Sequence, residues 1–253
     1  MTGISAVIIT RNEAQNIARC LISLNMLVDE VIVVDAESTD DTQRIATDHG
    51  ARVVIRKWTD YSDQKNFANA QATRPYILSM DADEAISTAL RTSLMARIEQ
   101  GLSGAYRVNR LTNYCGSWVH HGGWYPDAKV RLFPKEAARW EGEHVHEELR
   151  LADGIPVHQL HGDLLHYSYP TLRSHEERIE RYSDLHARKM FAAGKRAGAL
   201  KRLLSPVVKF FQGYVLRLGF IDGTAGWNIA RLSARAVRLK YEKLDRLRRA
   251  ANA

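Results

Sequence analysis

From Ile4 to Asp81 the chain alternates short apolar runs rich in β-branched residues with stretches of helical spacing. Residues 4–9, 30–34, 52–55 and 76–80 read as strands, and 13–24, 42–48 and 63–72 as helices, with Ile17, Leu21 and Leu24 on one helical face and Thr39 as a capping residue. Buried-type strands separated by helices form a parallel sheet with crossover helices. An open sheet of this kind binds its ligand beyond the carboxyl ends of its strands, so the residues that close each run are the first place to look for chemistry.

Those closing residues are polar. The first run ends in Thr10, Arg11, Asn12 and Glu13, the second in Asp35 to Asp40, and the fourth in Asp81, Ala82, Asp83 and Glu84. Asp81 and Asp83 present hard oxygen ligands together. Such a pair suits Mn²⁺ or Mg²⁺, which takes one or two carboxylates from a protein and fills its shell with phosphate oxygens and water. A bare Asp-X-Asp equally suits a loop or a helix N-terminus, where it caps and favours the dipole. Asp35 could accept hydrogen bonds from a nucleoside, or serve only the turn through Asp41, where Ser38 or Thr39 caps a helix. There is no G-x-G-x-x-G and no G-x-x-x-x-G-K-[ST], which argues against a dinucleotide dehydrogenase and a P-loop enzyme.

Taken together, VIITRNE at 7–13, VIVVDAESTDDT at 31–42, DQKN at 63–66 and ILSMDADE at 77–84 resemble, in this order, the family 2 glycosyltransferases. The later segments GEHVHEEL and GFIDGTAGW make the bacterial lipopolysaccharide core β-1,4-glucosyltransferase group the most similar members. The resemblance implies an α/β, GT-A (Rossmann-like) nucleotide-sugar-binding domain with a helical C-terminal extension. It implies that Thr10, Arg11, Asn12, Glu13, Asp35 and Ser38 surround the nucleoside of a UDP-sugar, that Lys65 faces the diphosphate, and that Asp81 and Asp83 handle the metal. It also implies a carboxylate that deprotonates the acceptor hydroxyl. Glu147 is the candidate, with Glu141, Glu143 and Glu148 crowding the same segment. Inversion is a single displacement at the anomeric carbon, with a base on one face and the leaving diphosphate on the other, and needs no covalent nucleophile.

Six histidines, His120, His121, His144, His146, His161 and His166, fall in one stretch, but without H-E-x-x-H spacing or a cysteine set. His166 follows an apolar pair and is the one that could complete a metal shell, as a late histidine does in some GT-A enzymes. Trp118, Trp124, Tyr125 and Trp140 could stack on sugars or simply fill a core. From Gly104 to Pro134, short extended pieces with glycines and aromatics point to antiparallel strands and an acceptor site.

After Pro170 the pattern is helical to the end, with turn signals at Gly194, Ser205–Pro206 and Asp222–Gly223. This divides the chain into a catalytic domain over 1–170 and a basic, amphipathic region over 171–253. From Lys195 onward 14 Lys and Arg face 3 Asp and Glu, a balance of +11 that leaves −4 for the rest of a chain of net charge +7. Helices are expected over 206–221 and 227–249. A basic amphipathic helix of this kind lies on an anionic membrane, or packs on its own catalytic domain or another subunit; both readings stand open on sequence. Cys20 and Cys115 alone make no disulfide framework, and with no basic segment followed by a long apolar stretch at Met1 to Ile9 and no run of 18 apolar residues, neither secretion nor membrane spanning is expected.

The expected function is an inverting, metal-dependent hexosyltransferase. By resemblance it moves glucose from UDP-glucose to a lipopolysaccharide core or other lipid-anchored glycan, cytoplasmic and peripheral on the inner face of the cytoplasmic membrane, with no nucleic-acid partner. A non-catalytic nucleotide-sugar or nucleic-acid binding module would explain the basic tail but leave Asp81, Asp83 and Glu147 idle. A pyrophosphorylase-like nucleotidyltransferase would carry a glycine-rich phosphate loop where TRNE stands.

Overall fold

The computed structural model describes residues 3–142 and 147–251. The chain forms two compact units, Met1–Arg110 with Asp127–Tyr167, and Leu111–Pro126 with Ser168–Ala253. Relative to a single cut at Pro170, the segment Leu111–Pro126 groups with the C-terminal helices.

In the first unit β1 (Ile4–Thr10), β2 (Glu30–Asp35), β3 (Arg52–Ile55) and β4 (Tyr76–Asp81) lie parallel in the order β3-β2-β1-β4. The helices between them are α1 (Ile17–Leu24), α2 (Thr42–Asp48) and α3 (Tyr61–Ala70). Alternate residues of β1 enter different cores, as strand geometry requires. Ala6 and Ile8 pack with Ile17, Leu21 and Leu24, whereas Val7 packs with Ile32, Val34, Ala68 and Ile77. The register sets Thr10 beside Asp35 and Ile9 beside Asp81, so the polar strand ends share one edge.

The chain continues through β5 (Glu84–Ile86), α4 (Thr88–Gln100), β6 (Ala105–Tyr114), β7 (Ser117–Val119), β8 (Asp127–Pro134), β9 (Ala138–Glu141), β10 (Glu148–Leu151) and β11 (Val157–Tyr169). Past β4 the sheet runs on as β8-β6-β11-β5, with β4–β8, β6–β8 and β11–β5 antiparallel, while β9 and β10 form a separate hairpin. Gly162 (φ +90°) lets β11 cross α4, because a Cβ there would stand 2.2 Å from the Leu90 backbone nitrogen.

The second unit holds α5 (Leu172–Ala192), α6 (Ala199–Phe211) and α7 (Gly223–Ala251). α5 opens with a capping box between Thr171 and Ser174. α7 buries Ala225, Ile229, Leu232, Tyr241 and Leu244, and α5 buries Ile179 and Ala187, but α6 buries no residue. The Asp222 carboxylate accepts from the backbone N–H of His120 (3.3 Å) and of His121 (2.8 Å), and pairs with His121 Nδ1 at 2.8 Å. Among the described residues no helix is long and apolar enough to cross a membrane.

Several boundaries differ from expectation. The helix expected from Glu13 starts at Ile17, because residues 13–16 form a turn in which the Glu13 carbonyl accepts from Asn16 and Ile17, both at 2.9 Å. Thr39 does not cap α2; its N–H goes to Asn12 Oδ1 (2.8 Å) and Asp41 holds the cap position. Ser205–Pro206 is no turn and the helix expected over 206–221 is displaced, since Pro206 lies inside α6. A proline there costs one backbone bond, to the Arg202 carbonyl, and α6 runs through it from Ala199 to Phe211. A π turn over Gln212–Leu216 and a left-handed Leu218 (φ +57°) end it.

Candidate active site

At the β1 and β2 ends two loops are laced together by side chains taking up backbone N–H groups. The Asn12 N–H donates to Ser38 Oγ (2.8 Å), that of Glu13 to Thr42 Oγ1 (2.8 Å) and that of Ala14 to Asp40 Oδ2 (3.1 Å). Asn12 and Glu37 both adopt positive φ, +55° and +56°. Asp35 is fully buried and accepts from the Ser38 N–H and hydroxyl and from Gln43 Nε2 at 2.7 Å. It therefore organises the turn, as its simpler reading held, and three of the roughly four lone-pair sites of its carboxylate are taken, which leaves one for a ligand. Thr10 Oγ1 is buried and has no partner among the described residues, while Arg11 is exposed on the same turn.

α3 builds the centre. Its Asp60 carboxylate caps the helix through the Asp63 N–H (2.9 Å), and each residue of DQKN then has its own place. Asp63 pairs with Arg56 at 2.7 Å, Gln64 is buried, and Asn66 makes two bonds to the Trp140 backbone, 2.8 and 2.9 Å. Lys65, 5% exposed, sends Nζ to within 3.2 Å of Asp81 Oδ1 and 3.6 Å of Glu147 Oε1, and 4.4 Å above the Trp140 ring. Three residues drawn from separate motifs thus meet at one ammonium group. They line a cavity of about 580 Å³ with Arg107, Arg110, Lys129 and Arg131.

Arg131, 4% exposed on β8, bonds Asp81 Oδ2 at 2.8 Å and also Glu84, which Arg110 approaches at 3.5 Å. Burial alone would raise the Asp81 carboxyl, but Arg131 and then Lys65 overrule it and hold it well below the usual carboxylate range. Burial pushes Glu84 up despite Arg131, with Asp81 adding to the rise. Asp83 stands apart from this cluster: its Oδ2 is 3.3 Å from His166 Nε2, and β11 holds His166 in register with Glu84.

A carboxylate beside an imidazole suits Mn²⁺ or Mg²⁺. Among the described residues no group of three His, Cys, Asp or Glu side chains is gathered tightly enough to hold an ion unaided, so an ion here would also draw on diphosphate oxygens. Asp83 and His166 fit that role, whereas both oxygens of Asp81 already face cations. Of the other glutamates, Glu148 is exposed and near Arg150 (3.4 Å), Glu141 is exposed, and Glu143, His144 and His146 lie outside the described residues. Among the described residues Glu147 is paired with the cation Lys65, while Glu143, one of the carboxylates that the sequence crowds around it, lies outside them.

Sequence reasoning missed Arg131, Arg110 and Arg107. The signal was present for Arg131 alone, an arginine inside the apolar run VRLF. Of the aromatics, Trp140 borders this cavity, whereas Trp124 packs on Tyr114, Tyr169 and His175 in the second unit.

Residues 5–151 match the family described as glycosyl transferase family 2. The chain belongs to that family. An uncharacterized glycosyltransferase of Rickettsia felis is 30% identical to this transferase over 96% of its chain and 90% of the relative. The lipopolysaccharide core biosynthesis glycosyltransferase LpsC of Rhizobium meliloti is 28% identical, over 87% of this chain and 82% of its own. Among solved structures, glucosyl-3-phosphoglycerate synthase from Mycobacterium tuberculosis in complex with Mn²⁺, UDP-glucose and phosphoglyceric acid aligns with a TM-score of 0.50 at 19% identity, over 78% of this chain and 81% of that one, a likeness of fold. Some other structures of that synthase align over less than half of their own length.

Proposed function

We propose that this glycosyltransferase is inverting and metal-dependent, and that it moves a hexose from a UDP-sugar to a glycan carried on a lipid. The observation that carries the reading is Lys65, 3.2 Å from Asp81 and 3.6 Å from Glu147 in a cavity otherwise rich in arginine. A donor diphosphate fits among Lys65, Arg110 and Arg131, because fixed cations in a partly enclosed site stabilise charge as it develops on a leaving group. Glu147 would take the proton of the acceptor hydroxyl. Lys65 ties the base to the donor side, and Trp140 offers a flat face to a sugar ring.

Thr10, Arg11, Asn12, Glu13, Asp35 and Ser38 would receive the nucleoside at the β1 and β2 ends, with Asp81 beside the donor. Asp83 and His166 would hold Mn²⁺ or Mg²⁺, with Asp81 as a further ligand only if it exchanged one of its cations. When bound, the ion neutralises charge on the leaving diphosphate. Glucose as the sugar is supported by the UDP-glucose bound to the synthase of similar fold. An acceptor in the lipopolysaccharide core is supported by the likeness to LpsC and by the basic C-terminal region, which also favours an enzyme peripheral on the inner face of the cytoplasmic membrane. The two-domain division, a catalytic 1–170 and a basic helical 171–253, belongs to the same proposal.

Thermal-shift screening of UDP-, GDP-, CDP- and dTDP-sugars with and without Mn²⁺ tests the donor. A ligand at 100 times its dissociation constant adds about 2.7 kcal/mol. Stabilisation by UDP-glucose that grows with Mn²⁺ is expected; a response to another base alone would reject the assignment.

A further inference from the structure

α6 is built inside out. At helical spacing Leu200, Leu203, Leu204, Val207, Val208 and Phe211 fall on one arc, and all six are exposed, Leu203 by 70%, Val207 by 63% and Phe211 by 51%. The opposite arc is polar and faces α7: Arg202 pairs with Asp245, and Lys209 borders the cavity that Lys240 and Ser233 of α7 also line. A helix held by burial of its apolar side would show the reverse. The apolar surface continues through Leu216, Phe220 and Ile221, exposed by 67%, 49% and 55%.

An apolar surface of this extent marks a contact. Its charge names the partner: between Lys195 and Ile221 there are six Lys and Arg and no Asp or Glu. A second copy of this chain would bring twelve such cations together, whereas a bilayer containing anionic lipid satisfies both features, the cations at its headgroups and the apolar arc among its acyl chains. We propose that α6 and the turn after it insert into the interface of an anionic membrane while α7 serves as the scaffold. This deepens the reading of a lipid-borne acceptor given above. It differs from a tail that binds through the basic stripe of α7, whose Arg235, Arg238 and Lys243 are already paired with Glu176, Glu242 and Glu180.

The test is co-sedimentation of the full chain with vesicles of phosphatidylcholine alone and mixed with phosphatidylglycerol, at low and high salt. Wild type is compared with Leu203→Ser/Val207→Ser/Phe211→Ser and with Lys195→Gln/Arg196→Gln/Lys201→Gln. All six positions are exposed, so the fold is retained. The wild type is expected to bind the mixed vesicles and to bind neutral ones far more weakly. The serine variant should lose at least about tenfold in partitioning at either salt level, because apolar insertion is not screened, whereas the glutamine variant should lose only at low salt. Absence of wild-type binding to mixed vesicles, equal binding to neutral ones, or a serine variant that binds like wild type would overturn the proposal. So would a wild-type dimer that the serine variant dissolves without any vesicle binding. The readout involves no donor, so failure here leaves the transfer reading intact, and failure of the donor screen leaves this one intact.

Discussion

Arg131 Nη2 stands 2.8 Å from Asp81 Oδ2, so the first aspartate of the Asp-X-Asp motif is already neutralised before any ligand arrives. Arg131→Met strips Asp81 and Glu84 of their shared cation. A loss of about 3 kcal/mol in urea unfolding at pH 7 is expected, since removing one partner strands buried charge. The sign with pH follows from Asp81, whose carboxyl sits below its ordinary 3.8 in the fold. Its contribution is present above that value and vanishes as pH falls through the lower, folded one. The gap between wild type and variant should therefore narrow in acid; a constant gap would argue against charge as the cause.

Asp83→Asn should leave folding intact, because the side chain is partly exposed and meets His166 rather than the buried cluster. Transfer at saturating donor is expected to fall by about a hundredfold or more, with a steeper requirement for Mn²⁺. EDTA should abolish wild-type turnover and added Mn²⁺ restore it. A variant with the wild-type Mn²⁺ dependence would remove Asp83 from the metal shell.

Glu147→Gln keeps the shape of the side chain and its position near Lys65 but cannot accept a proton. Donor affinity should be retained while turnover drops by about two to four orders of magnitude. If Glu147→Gln transfers normally and Glu141→Gln, Glu143→Gln or Glu148→Gln does not, the base is one of those residues.

The His175 ring is buried, and burial first, then Arg178, lowers its pKa from 6.5 to about 4. Its Nδ1 lies 2.8 Å from the Tyr114 hydroxyl. Between those two values the unfolded chain binds a proton that the folded one does not, so stability should fall as pH drops from about 6.5 to about 4 and level off below. His175→Gln, which cannot titrate, should flatten that slope in denaturant titrations. An unchanged slope would place the sensitivity elsewhere.

The parallel half of the sheet was legible because each strand is short, apolar and closed by a polar turn, so period and punctuation agree from Ile4 to Asp81. Lys65, Asp81 and Glu147 were each visible as candidates, yet their meeting was not, because it depends on where Asn66 and Ser62 bind the chain at Trp140 and Gly142, 74 and 80 residues away. Arg131 was hidden for a related reason: a lone cation in an apolar strand gains its meaning from two carboxylates on other strands. In the tail, Ser205–Pro206 read as a turn with a helix starting at Pro206 because local propensity argues so, whereas α6 begins at Ala199 and takes Pro206 into its interior.

The contrast between α6 and its neighbours has a consequence for how the helical unit opens. α7 and α5 contribute buried Ile179, Ala187, Ile229, Leu232 and Leu244, whereas α6 buries no residue and its contacts with α7 include the Arg202–Asp245 pair and an edge-to-face approach of Phe210 to Trp227 (5.4 Å). Amide protons of α6 should therefore exchange by local opening, well before those of α5 and α7, which wait for a larger unfolding event. Free in solution, the segment is expected to behave as a latched flap whose protection against exchange is set by its surroundings more than by the remainder of the fold.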